Sequence, residues 1–375
     1  MADSENNGAA NAGNGAELTP EQLEALLAVR GEIDRLDGEI LQRLAERARC
    51  AQKVGEIKRG PLYRPEREAQ VLRAIADRNP GPLSNEAVQR IFREIMSWCL
   101  ALERPMKVAY LGPQGTYSES AAGKHFGGAP DLQPQQTIDD VFHAVEAGAA
   151  EYGVVPVENS TEGAVGRTLD LLLSAKVSVC GEVSLRVRHN LMTHATDLSQ
   201  VKRIYSHSQS LSQCNDWLAH HAHGIPRLPV SSNAEAARMA AADPEAAAIA
   251  GEKAAQHYAL PILHANIEDD SNNTTRFLVI ASHDASPSGK DKTSIVCSAL
   301  NKPGAVHALL QAFADKGVSM TKFESRPSRA GLWEYVFYVD VEGHRNDPPV
   351  SAALKELTER AAFLKILGSY PVAAI

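Results

Sequence analysis

Cysteine is scarce in this chain. Five occur in 375 residues (Cys50, Cys99, Cys180, Cys214, Cys297), and none forms a C-x-x-C pair. That spacing excludes a disulfide framework or a cysteine zinc site, and it fits a reducing cytoplasm. Long apolar runs are missing too. No stretch reaches the roughly 18–20 residues that a membrane-spanning helix needs, so no membrane partner is expected. The first residues, MADSENNGAANAGNG, have no basic start and no apolar core. They lack the marks of a secretory signal and read as a disordered tail over 1–18. A basic excess is absent: 38 Lys and Arg face 46 Asp and Glu, a net charge of −8, opposite to the usual nucleic-acid binder. No G-x-S-x-G or H-E-x-x-H occurs, so a serine-hydrolase elbow and a zinc protease are unsupported. No period of 20–50 residues repeats, which excludes a solenoid. What remains is an ordinary globular balance, 44% hydrophobic and 22% charged, in a chain long enough for roughly two to three domains.

Three zones follow one another: an all-helical zone over 19–104, an α/β zone over 105–284, and an α+β zone over 292–375 after a linker at 285–291. In the first, Thr19-Pro20-Glu21 is a helix start. Leu23, Leu26, Ile33, Leu36, Ile40 and Leu44 then recur at three- and four-residue steps. Nothing breaks the pattern firmly before Gly60-Pro61. The spacing predicts one helix of about 40 residues, about 60 Å long. A rod of that length cannot bury its stripe in so small a zone, so a partner chain is expected. Two shorter helices are predicted over 65–78 and 84–103, separated by Asn79-Pro80-Gly81-Pro82.

Charge in this zone is locally positive: Arg30 to Arg73 holds 11 Lys/Arg and 8 Asp/Glu. Arg47 and Lys58 are three turns apart on one face. Arg30 lies 17 residues before Arg47, about 25 Å away along a helix. One helix cannot aim both at a small ligand, whereas an antiparallel dimer can. The stretches A-V-R-G-E-I-D (28–34), L-A-E-R (44–47), V-G-E-I-K (54–58) and R-P-E-R-E (64–68) resemble the all-helical chorismate mutases. The resemblance implies rearrangement of chorismate to prephenate inside a dimer, with no cofactor, metal or covalent intermediate. It implies Arg30 as a carboxylate ligand from the partner chain and Arg47 as one within the chain. Lys58 would donate to the ether oxygen, and Arg67 and Glu68 match the next family pair, with Glu68 accepting from the substrate hydroxyl. Cys99 and Glu103 match the last pair of family positions. Glu103 stands where a neutral amide donor is usual, and a carboxylate donates only when protonated, so either the site keeps this carboxyl protonated or mutase activity falls as pH rises. Arg64 stands where some members carry an acid.

In the α/β zone, Gly112-Pro-Gln-Gly115-Thr-Tyr-Ser follows a strand. Its G-x-x-G spacing, with Pro113 in the turn, does not match the dinucleotide fingerprint. The cluster His220, His221, His223 lacks the acid or cysteine partners of a metal site. Polar residues cluster instead at three strand ends, where α/β folds place ligands: P-V-E-N-S (156–160), S-H-S-Q (206–209) with Gln213, and N-T-T-R-F (273–277). Together these resemble the prephenate dehydratases. The resemblance implies two lobes around a cleft, as in periplasmic-type binding proteins, and conversion of prephenate to phenylpyruvate. Thr275 would donate to the leaving hydroxyl. Arg276 would bind a carboxylate, with Asn159, Ser160, Ser206, Gln213 and Phe277 around the substrate. Glu158 would be either an acid or a structural residue.

The last zone reads strand, helix, strand, strand, helix, strand, a ferredoxin-like order. Its N-K-P-G-A-V-H (301–307) and E-S-R-P (324–327) segments resemble the ACT domains. They imply Gly304, Ala305, Val306, Glu324, Ser325, Arg326 and Pro327 as a site for L-phenylalanine, with His307 in place of the usual apolar residue. The three resemblances in order are those of the bifunctional chorismate mutase–prephenate dehydratases of phenylalanine biosynthesis, working as a homodimer or a higher homo-oligomer. Two other readings stay open: a ligand-binding protein with a helical dimeriser, and a dehydratase with a lapsed mutase.

Overall fold

The computed structural model describes residues 19–57, 60–299, 302–328 and 335–373. They fall into two units, divided after Ile57. The first unit is helix α1 (Pro20–Ile57), 38 residues long. Thr19 Oγ1 accepts from the Gln22 amide at 3.2 Å while the Thr19 amide donates to Gln22 Oε1 at 3.0 Å, a reciprocal cap. Exposed pairs of Arg35 with Glu32 and Glu39, and of Arg43 with Glu46, line its polar side. None of its described residues is buried, and Leu27, Ile33, Ile40 and Leu41 are all more than half exposed or close to it. The expected long helix is present, with its apolar stripe uncovered within the single chain.

The second unit opens with α2 (Pro65–Asp77) and α3 (Asn85–Ala101), the latter capped by Ser84 accepting from the Ala87 amide. Two sheets follow. The first takes β1 (Lys107–Leu111), β2 (Asp131–Gln135), β3 (Tyr152–Asn159), the short β4 (Gly163–Ala164) and β5 (Ser178–Arg186). Helices α4 (Tyr117–Phe126), α5 (Ile138–Glu146) and α6 (Gly166–Ser174) connect them. The chain then crosses to a second sheet: β6 (Asn190–Thr193), β7 (Arg203–His207), β8 (Arg227–Val230), β9 (Ala246–Ala250) and β10 (Ile262–His264). Its helices are α7 (Ser208–Gln213), α8 (Asn215–His221), α9 (Asn233–Ala241) and α10 (Glu252–His257). The chain finally returns, and β11 (Thr274–Ala281) inserts between β3 and β5. The orders are β2-β1-β3-β11-β5 and β10-β6-β9-β7-β8, two lobes joined by two crossings. Lobe two is sealed with small residues: Ala236, Ala237, Ala240, Ala246, Ala248 and Ala250 pack around Met192 and Leu260.

The C-terminal part is β12 (Asp291–Ser298), α11 (Ala305–Ala314), β13 (Met320–Pro327), β14 (Tyr335–Glu342), α12 (Pro348–Arg360) and β15 (Phe363–Pro371), in the order β13-β14-β12-β15. This is the expected ferredoxin-like arrangement. Alternation gives the sheet two apolar faces. Ile295, Val339 and Val341 pack under the helices with Leu309, Phe313, Leu354 and Leu357. Val296, Val336, Tyr338, Leu367 and Tyr370 pack against Leu169, Leu172, Val177 and Val179 of lobe one. Lys365 Nζ donates to the carbonyls of Leu172, Leu173 and Ala175 at 2.6–3.2 Å, meeting the open C-terminus of α6. The connecting segment is packed as well: Ala285, Ser288 and Asp291 are buried, and the Ser288 amide donates to Asp291 Oδ2 at 2.9 Å.

Contact between the C-terminal sheet and lobe one is closest at Gly368, where a Cβ would overlap the carbonyl oxygen of Val179. Gly368→Ala is expected to force β15 away from β5 and to lower stability by about 1–3 kcal/mol, measured by urea unfolding. An unchanged midpoint would show that the two sheets separate freely.

Candidate active site

Between the two lobes lies a cleft of about 500 Å³, lined by Tyr117, Ser118, Gln136, Pro156, His207, Asn233, Thr275 and Phe277 among others. Local backbone shapes its entrance. Gly115 turns through a left-handed conformation (φ 86°) against Ala254 of lobe two, where a Cβ would sit 3.1 Å from the Ala254 Cα. Thr116 then caps α4 by accepting from the Glu119 amide.

Thr275 sits opposite Asn159 in the β11–β3 register. The polarity of this pair is fixed from outside. Asn159 Oδ1 accepts from the Thr161 amide, the Thr161 hydroxyl and the Glu162 amide at 2.6–3.2 Å. Its Nδ2 must therefore face the other way, donating to Asn273 Oδ1 at 2.8 Å and to Thr275 Oγ1 at 2.9 Å. Thr275 accepts, which leaves its own O–H free to donate within the cleft it lines. The network continues. Asn273 Nδ2 donates to Gln213 Oε1 at 3.1 Å, and Gln213 Nε2 donates to Thr161 Oγ1 at 3.2 Å. His189 Nε2 lies 3.0 Å from Gln213 Oε1, and its Nδ1 lies 2.9 Å from the Tyr117 hydroxyl. Burial pushes the His189 pKa down, against the hydrogen bond it makes to Gln213. The ring is therefore neutral, and the acceptor Gln213 Oε1 assigns the proton to Nε2, while the Tyr117 hydroxyl also reaches the Arg188 carbonyl at 2.7 Å. Tyr117, Asn159, Asn273 and Thr275 come from lobe one and the crossings, Gln213 from lobe two, and the neutral His189 from the first crossing.

Other residues expected around the substrate are placed differently. Ser206 is fully buried, and its hydroxyl lies 2.8 Å from the Ile249 carbonyl and 3.0 Å from Asn233 Oδ1. It holds Asn233, which lines the cleft. Ser160 Oγ accepts from the Thr274 amide, and Gln213 is engaged at both ends. Arg276 lies away from the cleft. Strand alternation turns Thr275 and Phe277 to the cleft and Arg276 to the opposite face. There Arg276 Nε donates to Glu182 at 2.8 Å, one Nη to Asp340 at 2.6 Å and the other to the Tyr370 hydroxyl at 2.9 Å. Its donors serve protein groups instead of a substrate carboxylate. Glu158, on the same face, pairs with Lys322 at 2.8 Å, which favours the structural reading.

The mutase residues divide between the two units. Arg30 and Arg47 stand on α1, whose unbroken course keeps them about 25 Å apart. Lys58 lies outside the described residues. Arg67 and Glu68, consecutive on α2, enter different cavities. Arg67 lines one of about 510 Å³ with Gln70, Val71, Arg78 and Phe92. Glu68 lines one of about 290 Å³ with Tyr63, Arg93, Lys124 and His125. The structure does not bring them to one ligand, because consecutive helical residues diverge by about 100°. Cys99 is buried on α3, and Glu103 is half-buried in the turn beyond it.

In the C-terminal domain Gly304 is left-handed (φ 77°) and caps α11, with Ala305 buried and Val306 exposed. The E-S-R-P segment is split by alternation along β13. Glu324 lies 3.2 Å from Lys322, and Arg326 lies 3.3 Å from Asp170 of α6. Ser325 and Pro327 are exposed. The 301 end of the first segment lies outside the described residues.

With this geometry in place, the comparisons with known proteins are informative. Residues 29–104 match the chorismate mutase type II family, 108–285 the prephenate dehydratase family and 293–359 the ACT domain family. The bifunctional chorismate mutase/prephenate dehydratase of Neisseria gonorrhoeae is 53% identical over 94% of this chain and 98% of its own length. That of Pseudomonas aeruginosa is 51% identical over 94% and 99%. This chain belongs to the bifunctional chorismate mutase/prephenate dehydratase family. It is thus an isomerase and a lyase in one polypeptide, with an ACT domain behind the dehydratase lobes. Among solved structures, the prephenate dehydratase of Arthrobacter aurescens in complex with L-Phe is similar, with a TM-score of 0.66 and 33% identity over 71% of this chain and 90% of that one. Among the described residues no helix is long and apolar enough to cross a membrane.

For this bifunctional mutase–dehydratase, sequence reasoning did not single out His189, Tyr117, Asn233 or Asn273 as site residues. Tyr117 and Asn273 stood inside segments already singled out. His189 and Asn233 had no motif to mark them. The His220 and His221 side chains approach the Asp216 and Trp217 carbonyls of their own helix, at 2.6 and 3.0 Å.

Glu68 yields a measurable consequence. Its carboxyl is pushed up to about 7, with burial the larger influence and Arg93 at 3.2 Å opposing it. The folded chain therefore holds this proton more firmly than the unfolded chain, where the ordinary value is 4.5. The resulting stabilisation is complete below about pH 4.5 and is lost as pH rises through about 7, a change of up to about 3 kcal/mol. Glu68→Gln is expected to shrink the stability difference between pH 5 and pH 7.5 by that order, read by urea unfolding. A variant that keeps the wild-type difference contradicts the assignment.

Proposed function

We propose that the cleft between the lobes is where prephenate becomes phenylpyruvate, with the Thr275 hydroxyl as proton donor to the departing ring hydroxyl. The C–C bond to the ring carboxylate breaks and its electron pair aromatises the ring. The C–O bond breaks, and the hydroxyl takes a proton and leaves as water. Prephenate and one proton give phenylpyruvate, carbon dioxide and water. The observation that carries this reading is the fixed direction of the Asn159 amide, which fills the acceptor side of Thr275 and leaves its proton for the cleft. Thr275 is a weak acid, so its hydrogen bond to the leaving oxygen matters more than full transfer. Phe277 and Pro156 supply apolar surface for the ring.

Upstream, the helical domain rearranges chorismate to prephenate by holding the dianion in a compact form. The 25 Å between Arg30 and Arg47 on α1, and the uncovered stripe of that helix, support a homodimer in which each site takes Arg30 from the partner. Arginine suits this role because its planar fork binds both oxygens of a carboxylate. The ACT domain binds L-phenylalanine, in keeping with the L-Phe bound to the Arthrobacter protein, and feedback follows from its packing against lobe one. A cytoplasmic setting fits the free thiols.

The deciding assay gives purified protein chorismate at neutral pH, with products analysed without acid, which itself converts prephenate. Phenylpyruvate is expected from the wild type. Thr275→Val is expected to accumulate prephenate, with dehydration slowed on the order of a hundredfold or more, and Thr275→Ser to retain most of the rate. Equal rates in wild type and Thr275→Val would remove Thr275 from the reaction.

The dimer is tested by sedimentation. The wild type is expected at twice the chain mass or more. Ile33→Asp with Ile40→Asp is expected to dissociate it and abolish mutase but not dehydratase activity. A monomeric wild type with full mutase activity would overturn the shared site.

A further inference from the structure

We propose that Arg276 is a positioning residue for the dehydratase step, through which the C-terminal sheet holds Thr275, and that the neighbouring Lys322–Glu158 tie makes that hold sensitive to the ACT domain. The second half rests on the reading that L-phenylalanine acts at that domain.

The register of β3 and β11 sets two cross-strand pairs side by side. Thr275 faces Asn159, and Arg276 faces Glu158. One pair is turned to the cleft and joined by a hydrogen bond. The other is turned to the C-terminal sheet, with Arg276 and Glu158 4.0 Å apart. The register with β3 shifts between Arg276 and Phe277, just past the two pairs.

On the far side, Arg276 meets residues of two C-terminal strands, Asp340 on β14 and Tyr370 on β15. Its third partner, Glu182 on β5, is also held by Lys292 of β12 at 2.9 Å. Ser294 donates to Asp340 at 2.5 Å and lies 2.6 Å from the Tyr370 hydroxyl. Two cations and two carboxylates thus balance in a nearly dry layer, with Glu182 4% and Asp340 9% exposed. A substrate carboxylate could take Arg276 only by leaving one of these buried and unpaired, which is strongly unfavourable. Arg276 therefore acts on the reaction through the strand it shares with Thr275.

The second tie reaches the E-S-R-P segment. Lys322 bridges Glu158 at 2.8 Å and Glu324 at 3.2 Å. Glu158 is adjacent in sequence to Asn159, the donor that orients Thr275. Any movement of Glu324 on a ligand is thereby two ion pairs and one peptide unit from the site.

The test measures dehydratase kinetics on prephenate for the full chain, with and without L-phenylalanine, while mutase turnover and thermal unfolding of the same preparations report folding. Arg276→Lys keeps the charge but loses the fork. It is expected to lower kcat on the order of tenfold or more with KM nearly unchanged, because the catalytic hydroxyl is misplaced. Lys322→Gln is expected to keep kcat and raise the half-inhibiting L-phenylalanine concentration about fivefold or more. If Arg276→Lys loses mutase turnover as well, Asp340→Asn makes the same test from the C-terminal side. A raised KM at unchanged kcat would make Arg276 a substrate ligand and overturn the first half. An inhibition curve for Lys322→Gln superimposed on the wild type would overturn the second. A wild type that saturating L-phenylalanine does not inhibit removes the feedback reading and the second half with it, and the kcat and KM of Arg276→Lys still decide the first.

Discussion

The antiparallel insertion of β11 between β3 and β5 is the constraint on which the other features hang. It brings a strand from the far end of the dehydratase segment back beside the P-V-E-N-S strand, so that residues more than a hundred positions apart become cross-strand neighbours. Because successive residues on a strand face opposite ways, the same insertion sorts T-R-F between two environments. Thr275 and Phe277 enter the cleft, and Arg276 enters the seam with the C-terminal sheet. The catalytic and regulatory parts of this family meet, in this chain, across the thickness of one strand.

Much of this was legible in the sequence, and the failures have physical causes. The helical zone announced itself through three- and four-residue steps, and α1, α2 and α3 lie within a few residues of where the pattern put them. The ferredoxin-like order was readable because its strands alternate cleanly. Lobe two was not, since its central strand is Ala246 to Ala250. Alanine has low strand preference, and only burial between helices, where nothing larger fits, makes this segment a strand. Residue types named Thr275 but not the direction of its neighbour. An arginine beside a proposed proton donor reads as an anion ligand until a register shows which face it occupies. Ser206 is similar, because a hydroxyl at a strand end serves a backbone carbonyl as readily as a substrate. Arg67 and Glu68 are adjacent in sequence, yet a helix sends adjacent residues to different cavities.

The hydrogen-bond chain from Tyr117 to Thr275 has a directional character that charges alone would not provide. Each amide in it is fixed by a partner that can only donate or only accept, beginning with two backbone N–H groups at Thr161 and Glu162. The neutral imidazole of His189 fits this chain because it offers one donor and one acceptor. Both chain crossings between the lobes, at His189 and at Asn273, are written into the chain, so lobe closure and the setting of Thr275 draw on the same bonds.

Lys365 shows how deeply the parts of this polypeptide have grown together. One ammonium group from the C-terminal domain satisfies three carbonyls at the end of a dehydratase helix, a task usually left to a glycine turn or to water. The boundary between these domains is therefore a boundary in homology and not in folding. A dehydratase severed there would carry an open helix end and a bare apolar sheet, and an ACT domain moved elsewhere would carry a cation with nothing to cap. Descent of this architecture by exchange of domains at that junction would require a matched replacement on both sides, whereas the long first helix, which makes its own cap and its own surface ion pairs, is the part most readily gained or lost.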